Sequence, residues 1–418
     1  MLLNSNSNAQ VTQKAVDSTV GVFKGLYNDG KMPEIYSLLS ERSQKLLTKD
    51  AFLKAMYQLN TGGGKLGKLE FVKQDGNRYF YRAIFEKMQL CLLVRLNEQN
   101  TFETFRFVPV SNVDLAAPIK PEMNEGERVL VKSDSNALVG VITMPANTTN
   151  PVPVVLLIAG SGPTDHNCNS LSQGLKTNSY KMLADSLKAA GIACLRYDKR
   201  GTGASARALP DESTATFETY VNDATLFMDF LKKDARFSKI YIAGHSEGAL
   251  TGLLLAEKYQ IAGYISIAGA GASVDKVIKT QLLSRSVDLA NEFSKLVENV
   301  KADKAFKTPD DETLKTLFRP SVLPFLKSWM NYDPAVEIAK LKVPVLVIQG
   351  DNDLQVAVSN AESLKRAVPA AHVVIVPKMN HILKNAPYDS EMNYATYTDP
   401  ELPLNSTLVR EIVNFIAP

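Results

Sequence analysis

Five residues, Gly244-His245-Ser246-Glu247-Gly248, stand between a short apolar run, Ile240-Tyr241-Ile242-Ala243, and a stretch that begins Ala249-Leu250-Thr251-Gly252-Leu253-Leu254. The run has the length and residue types of a buried strand, and the stretch after it those of a helix. A Gly-x-Ser-x-Gly pattern alone is weak evidence, because glycine and serine are common. Between a strand and a helix it means more: a turn that tight tolerates only small flanking residues and holds the serine oxygen exposed at the edge of the sheet. The helix N-terminus also aims backbone N–H groups at negative charge that develops there. Ser246 is the candidate nucleophile.

The same grammar extends on both sides. From about residue 121, apolar runs over 153–159, 192–197, 239–243, 262–268, 343–349 and 372–376 alternate with segments of helical spacing over 180–190, 216–232, 250–259, 357–367 and 408–415. A leading pair of strands is expected over 128–132 and 137–143. Strand, helix, strand repeated in this way predicts an α/β domain with a mainly parallel sheet covered on both faces. About 70 residues separate two of the runs, and an insertion that long is usually functional. Its helical segments, expected over 277–289 and 292–300, suggest a helical lid at about 271–340, with Phe318, Phe325, Trp329 and Tyr332 either lining a pocket or forming the lid's own core.

The first 120 residues read differently. Val16, Val20, Phe23 and Tyr27 recur at helical spacing, and β-rich segments follow over 69–73, 78–86, 89–97 and 101–108. Helices first and antiparallel strands afterwards predict a separate α+β domain, with a linker around Pro118, Pro121 and Glu122. The chain thus divides into 1–120 and 121–418. Gly62, Gly64 and Gly67 satisfy Gly-x-Gly-x-x-Gly, but they follow a helix and precede a strand, the reverse of a dinucleotide site.

A net charge of +3 with the two signs interspersed argues against nucleic acid as a partner. No apolar stretch approaches the ~20 residues that span a bilayer, so no membrane anchor is expected. Cys91, Cys168 and Cys194 have no metal-ligand spacing, and nothing pairs Cys168 with a base; they are expected as free thiols. No metal and no cofactor is expected. The start of the chain lacks a basic region, yet Ser7-Asn8-Ala9 has the small-x-Ala form of a cleavage site, leaving export and a cytoplasmic location both open.

A serine hydroxyl needs a base within hydrogen-bond reach and a group to orient that base. Of four histidines, His245 lies inside the turn and is aimed away from the Ser246 oxygen, His372 opens a strand, and His166 follows the first parallel strand. His381 follows the last strand on a loop, where a general base belongs in the chain order Ser, acid, His. Asp351 and Asp353, after the penultimate strand, compete as the orienting acid. An oxyanion hole would combine the Glu247 N–H with one from Ala159-Gly160-Ser161-Gly162, where Ser161 is preferred and Gly162 is the alternative.

With Ser246, His381 and these two loops in place, residues 125–418 closely resemble the α/β-hydrolase superfamily, in its serine aminopeptidase-like or dienelactone hydrolase-like branch. The Gly-x-x-Asp-x-x-Val pattern of that superfamily falls on Gly350, Asp353 and Val356, and the resemblance thereby selects Asp353 as the acid. Many similar chains begin the oxyanion loop with His-Gly, where this one has Ala159-Gly160. The resemblance implies the α/β-hydrolase fold and a serine hydrolase of the carboxylesterase type, acting on a small-molecule ester through Ser246, His381 and Asp353. An amide or peptide hydrolase is the alternative within that fold, and a non-catalytic ligand-binding protein is the alternative outside it. A homodimer is compatible with either. In order and length of elements, residues 1–120 resemble the cone-shaped nuclear transport factor two-like domains.

Overall fold

The computed structural model describes residues 12–75, 77–109, 126–134, 136–146, 148–170 and 173–417. The Ser7-Asn8-Ala9 site and the linker residues Pro118, Pro121 and Glu122 lie outside them. Two compact units are present, Met1–Met123 and Asn124–Pro418.

In the first unit, helices α1 (Gln13–Asn28), α2 (Met32–Tyr36), α3 (Glu41–Leu46) and α4 (Lys49–Gly63) precede strands β1 (Leu66–Asp75), β2 (Arg78–Phe85), β3 (Gln89–Leu96) and β4 (Phe102–Pro109). The strands form one antiparallel meander in sequence order. The Thr12 hydroxyl caps α1, and spacings of four and three residues put Val16, Val20, Phe23 and Tyr27 on its buried face. There Phe23 meets Phe105 at 4.9 Å and Tyr27 meets Phe85 at 5.6 Å between ring centroids. The glycine-rich stretch is a helix-to-strand turn, with Gly64 at φ +74° ending α4.

The second unit holds an eight-stranded sheet. Its strands are β5 (Glu127–Lys132), β6 (Ala137–Thr143), β7 (Val152–Ile158), β8 (Ala193–Tyr197), β9 (Phe237–His245), β10 (Gly263–Ile267), β11 (Val345–Gly350) and β12 (His372–Val376). They lie in the order β12-β11-β10-β9-β7-β8-β6-β5. β6 pairs antiparallel with β5 and β8, and the other pairs are parallel. Successive residues of a strand face opposite ways, and here both sides are covered. Val154, Leu156 and Ile158 of β7 enter one core, while Val155 and Leu157 enter the other. That is why the strands read as unbroken apolar runs. Helices α6 (Phe217–Lys233), α7 (Glu247–Ala256) and α13 (Val358–Ala367) cover the first side, and α5 (Ser179–Ala189) and α15 (Ser406–Ile416) the second. A further short helix, α14 (Ser390–Ala395), follows β12. The chain passes from β7 to β8 on one flank and then to β9 on the other, so the loops after β7 and β9 meet at the point where the winding reverses, the usual place for a ligand crevice in such sheets.

Between β10 and β11 the insertion forms α8 (Val274–Leu283), α9 (Val287–Lys301), α10 (Glu312–Leu317), α11 (Leu323–Trp329) and α12 (Pro334–Ile338). The first break falls earlier than the helical periodicity suggests, at residues 284–286, because the Ser286 hydroxyl accepts the Leu289 N–H and starts a new helix. The insertion's aromatics are core. Phe318 packs with Phe293 and Phe306, and Phe325, Trp329 and Tyr332 surround Phe217 of α6, with the Trp329 ring stacked 5.7 Å from it. Among the described residues no helix is long and apolar enough to cross a membrane.

Trp329 is the only tryptophan of the chain, so its emission reports on this stack. Phe217→Ala is expected to cost about 3–5 kcal/mol and to shift tryptophan fluorescence to the red, since the ring that covers Trp329 is removed. An unchanged emission maximum and melting midpoint would contradict the role given to Phe217.

Candidate active site

The turn from β9 into α7 sets the first element of the site. Ser246 adopts φ 55°, ψ −121°, a conformation that side-chain-bearing residues rarely hold. The surroundings enforce it. A Cβ on Gly244 would lie 2.1 Å from the Gly248 oxygen, and one on Gly248 would lie 2.3 Å from the Ile158 oxygen. Only glycine permits these approaches. From residue 241 to 250 every residue is buried except Ser246, which is partly open to solvent.

His381 sits on the loop after β12, and its Nδ1 lies 2.8 Å from Asp353 Oδ2. The Asp353 side chain is fully buried. Burial by itself would raise its pKa, but the His381 ring and the N–H groups of Val356 and Gln355 outweigh that and hold the carboxyl below its ordinary range. The carboxylate therefore accepts from Nδ1–H, which leaves His381 Nε2 as the free acceptor. Asp351 is occupied elsewhere, accepting from the Lys378 N–H and the Tyr388 hydroxyl. Of the two competing carboxylates, only Asp353 meets the histidine.

Ser246 and His381 line one cavity of about 370 Å³ together with Gly160, Ser161, Gly162 and Tyr180. Among the described residues the Ser246 hydroxyl makes no hydrogen bond. Glu247 is the first residue of α7, so its N–H belongs to the unsatisfied first turn. Ser161 and Gly162 both stand on the loop after β7. His166 is engaged by Asp198, and His372 is exposed and faces Glu411.

Sequence reasoning did not identify the five hydrogen bonds, made by His245, Tyr180 and Lys199, that bind these loops together. His245 Nε2 lies 2.8 Å from the His381 carbonyl oxygen, an acceptor, so Nε2 carries the proton and Nδ1 accepts from the Tyr180 hydroxyl at 2.7 Å. The Tyr180 oxygen in turn accepts the Gly160 N–H at 3.1 Å. Lys199 Nζ donates to Glu247 Oε1 at 2.8 Å and to the Gly160 carbonyl at 3.0 Å. In the sequence Tyr180 reads as one more apolar position of a helix, whereas Lys199 falls in the run 198–203, which resembles a loop motif of the superfamily and suggests salt bridges that shape the mouth without naming a partner. Only the burial of a lysine could have signalled a partner, and burial is not visible in a loop. Desolvation and the neighbouring His381 ring lower the His245 pKa to about 3, so this imidazole stays neutral.

The profile of a family described as serine aminopeptidase, S33, matches residues 174–387, slightly more than half of the chain. That span contains Ser246, Asp353 and His381. Esterase EstD of Thermotoga maritima is 26% identical over 325 residues, covering 76% of this chain and 74% of that protein. Est1E from Butyrivibrio proteoclasticus superposes with a TM-score of 0.46 at 19% identity, over 70% of this chain and 99% of its own. A proline iminopeptidase of Mycobacterium smegmatis gives 0.45 at 12% identity, over 69% and 97%.

The neutral His245 has a consequence for stability. In the unfolded chain it takes up a proton near pH 6.5, whereas in the fold it does so only near pH 3. Its contribution is full above pH ~6.5 and is lost as pH falls through that window, amounting to about 2 kcal/mol at pH 5. Histidine ring resonances followed from pH 7.5 to 5 are expected to include one set that does not titrate. Assignment of a midpoint near 6 to His245 would overturn its place in the buried network.

Proposed function

For a chain that belongs to the serine aminopeptidase, S33, family, and is thus a serine hydrolase of the α/β-hydrolase fold, we propose the activity of a carboxylic ester hydrolase working through Ser246, His381 and Asp353. The observation that carries the reading is the meeting of the strained Ser246 turn and the Asp353-oriented His381 around one cavity. Ser246 Oγ attacks the ester carbonyl while its proton passes to His381 Nε2. The N–H groups of Glu247 and Ser161 hold the oxyanion, and the alcohol departs with the proton from His381. Water then attacks the acyl-enzyme with His381 again as base, which releases the acid and restores Ser246. No step calls for a metal or cofactor.

An aminopeptidase is the second reading, favoured by the family's name. Such an enzyme must hold its substrate's α-ammonium, and a buried cation needs an anionic partner. Among the described residues no carboxylate side chain lines the cavity, whose polar lining comes from neutral groups such as Thr164, Gln173, Gln355 and Tyr397. This favours an uncharged ester, and the 26% identical relative carries the name of an esterase. The volume of about 370 Å³ suits a short acyl group with a small alcohol.

Turnover of p-nitrophenyl acetate is expected to fall at least ~1000-fold in Ser246→Ala with the fold retained. Across a panel of p-nitrophenyl esters, rates should peak at short acyl chains and exceed those on aminoacyl p-nitroanilides. Full turnover by Ser246→Ala would exclude the mechanism, and faster hydrolysis of the anilides would favour the peptidase.

A further inference from the structure

One buried cation touches both halves of the oxyanion site. Lys199 and Glu247 are 7% and 5% exposed, and a lysine so buried needs an anionic partner, which the Glu247 carboxylate supplies. The ammonium also lies 4.8 Å from the centre of the Tyr220 ring. Its second hydrogen bond goes to the carbonyl of Gly160. That oxygen belongs to the peptide unit whose N–H is that of Ser161. In a planar trans peptide the two point in opposite directions, and the described backbone contains no cis bond. Holding the oxygen from one side therefore fixes the direction of the Ser161 N–H on the other.

The preceding peptide is fixed as well, because the Gly160 N–H is taken by the Tyr180 hydroxyl. Gly160 is thus gripped at both its N–H and its carbonyl, at a point where an added Cβ would come 3.2 Å from the Ser246 Cβ and 3.3 Å from His245 Nδ1. The grip is directional at every link. Tyr180 must donate to His245 Nδ1, because His245 Nε2 donates to the His381 carbonyl, and so its oxygen is free to accept.

We propose that Lys199 and Tyr180 are positioning residues for acyl transfer: together they clamp Gly160, orient the Ser161 N–H as an oxyanion donor, and, through the Lys199–Glu247 pair, tie that donor to the one at the start of α7. The proposal rests on Ser246 being the nucleophile. An ammonium bonded to a peptide oxygen polarises the whole peptide and strengthens its N–H as a donor. Because Glu247 balances the charge, the effect reaches the substrate through that dipole and its orientation. The clamp also explains how a loop that begins Ala159-Gly160, without the histidine seen in similar chains, is held in place.

The test uses the full chain with Tyr180→Phe, which is nearly isosteric, and with the double variant Lys199→Met, Glu247→Gln, which leaves no unpaired buried charge. Two quantities are read: kcat and KM for a short acyl ester, and inhibition by an aryl trifluoromethyl ketone, whose adduct with a serine carries an oxyanion, beside its methyl ketone counterpart, which forms none. In variants that keep the wild-type circular dichroism, kcat should fall about 10- to 100-fold with KM within about threefold. Affinity for the trifluoromethyl ketone should fall in parallel, and that for the methyl ketone should hold. Should either folded variant keep kcat and trifluoromethyl ketone affinity within about threefold of wild type, the clamp is refuted for that residue. Wild-type protein that neither hydrolyses esters nor forms the ketone adduct would instead remove the nucleophile reading itself. If the double variant fails to fold, Tyr180→Phe decides the matter.

Discussion

Gly248 lies against the carbonyl oxygens of Ile158 and Ala159, so closely that a Cβ there would come within 2.3 and 2.5 Å of them. The approach brings the start of α7 onto the end of β7, and two loops far apart in the chain become the two walls of one crevice. The strained Ser246 backbone, the burial of every neighbour in its turn, and the position of Gly160 beside the Ser246 side chain all depend on it. Such strain persists only where the surroundings over-determine it. Here the parallel pairing of β7 and β9, which extends to Ile158 and Gly244, supplies that constraint.

Around this contact Asp353, His381 Nδ1 and His245 each have defined partners. Asp353 is buried and ionised, His381 is bound to it through Nδ1, and His245 is neutral with its proton assigned to Nε2. His245 ties the backbone of the His381 loop to Tyr180 and, through it, to Gly160 on the loop after β7. Hydrogen bonds of this kind between buried groups hold them rigid, and rigidity is what electrostatic stabilisation of a transition state requires.

Much of this was legible in the residues. Runs such as Val154-Val155-Leu156-Leu157-Ile158 announce strands covered on both faces, and the glycines of 244–248 announce a turn whose serine is exposed. The partner of His381 was less legible: Asp351 and Asp353 sit two residues apart on one loop, and only the fold turns Asp353 toward His381 and Asp351 toward Lys378 and Tyr388. The insertion's aromatics serve a pocket or a core equally well in the sequence, and Phe217, the partner of Phe325, Trp329 and Tyr332, lies about a hundred residues earlier. Tyr180 gives no local sign of its role, and the run 198–203 suggests salt bridges that shape the mouth without naming the partner of Lys199, because the contacts lie 65 and 48 residues along the chain, with His245 and Glu247. Local pattern reports periodicity and turn chemistry, and it is silent about which buried polar groups find each other.

The proposed mechanism stands on Ser246 alone being activated as a nucleophile. Reaction of the folded full-length protein with a fluorophosphonate, followed by intact mass and peptide mapping, tests it most directly. A single adduct on Ser246, lost on prior unfolding, is expected. No adduct, or one on a different serine with Ser246 unmodified, would contradict it.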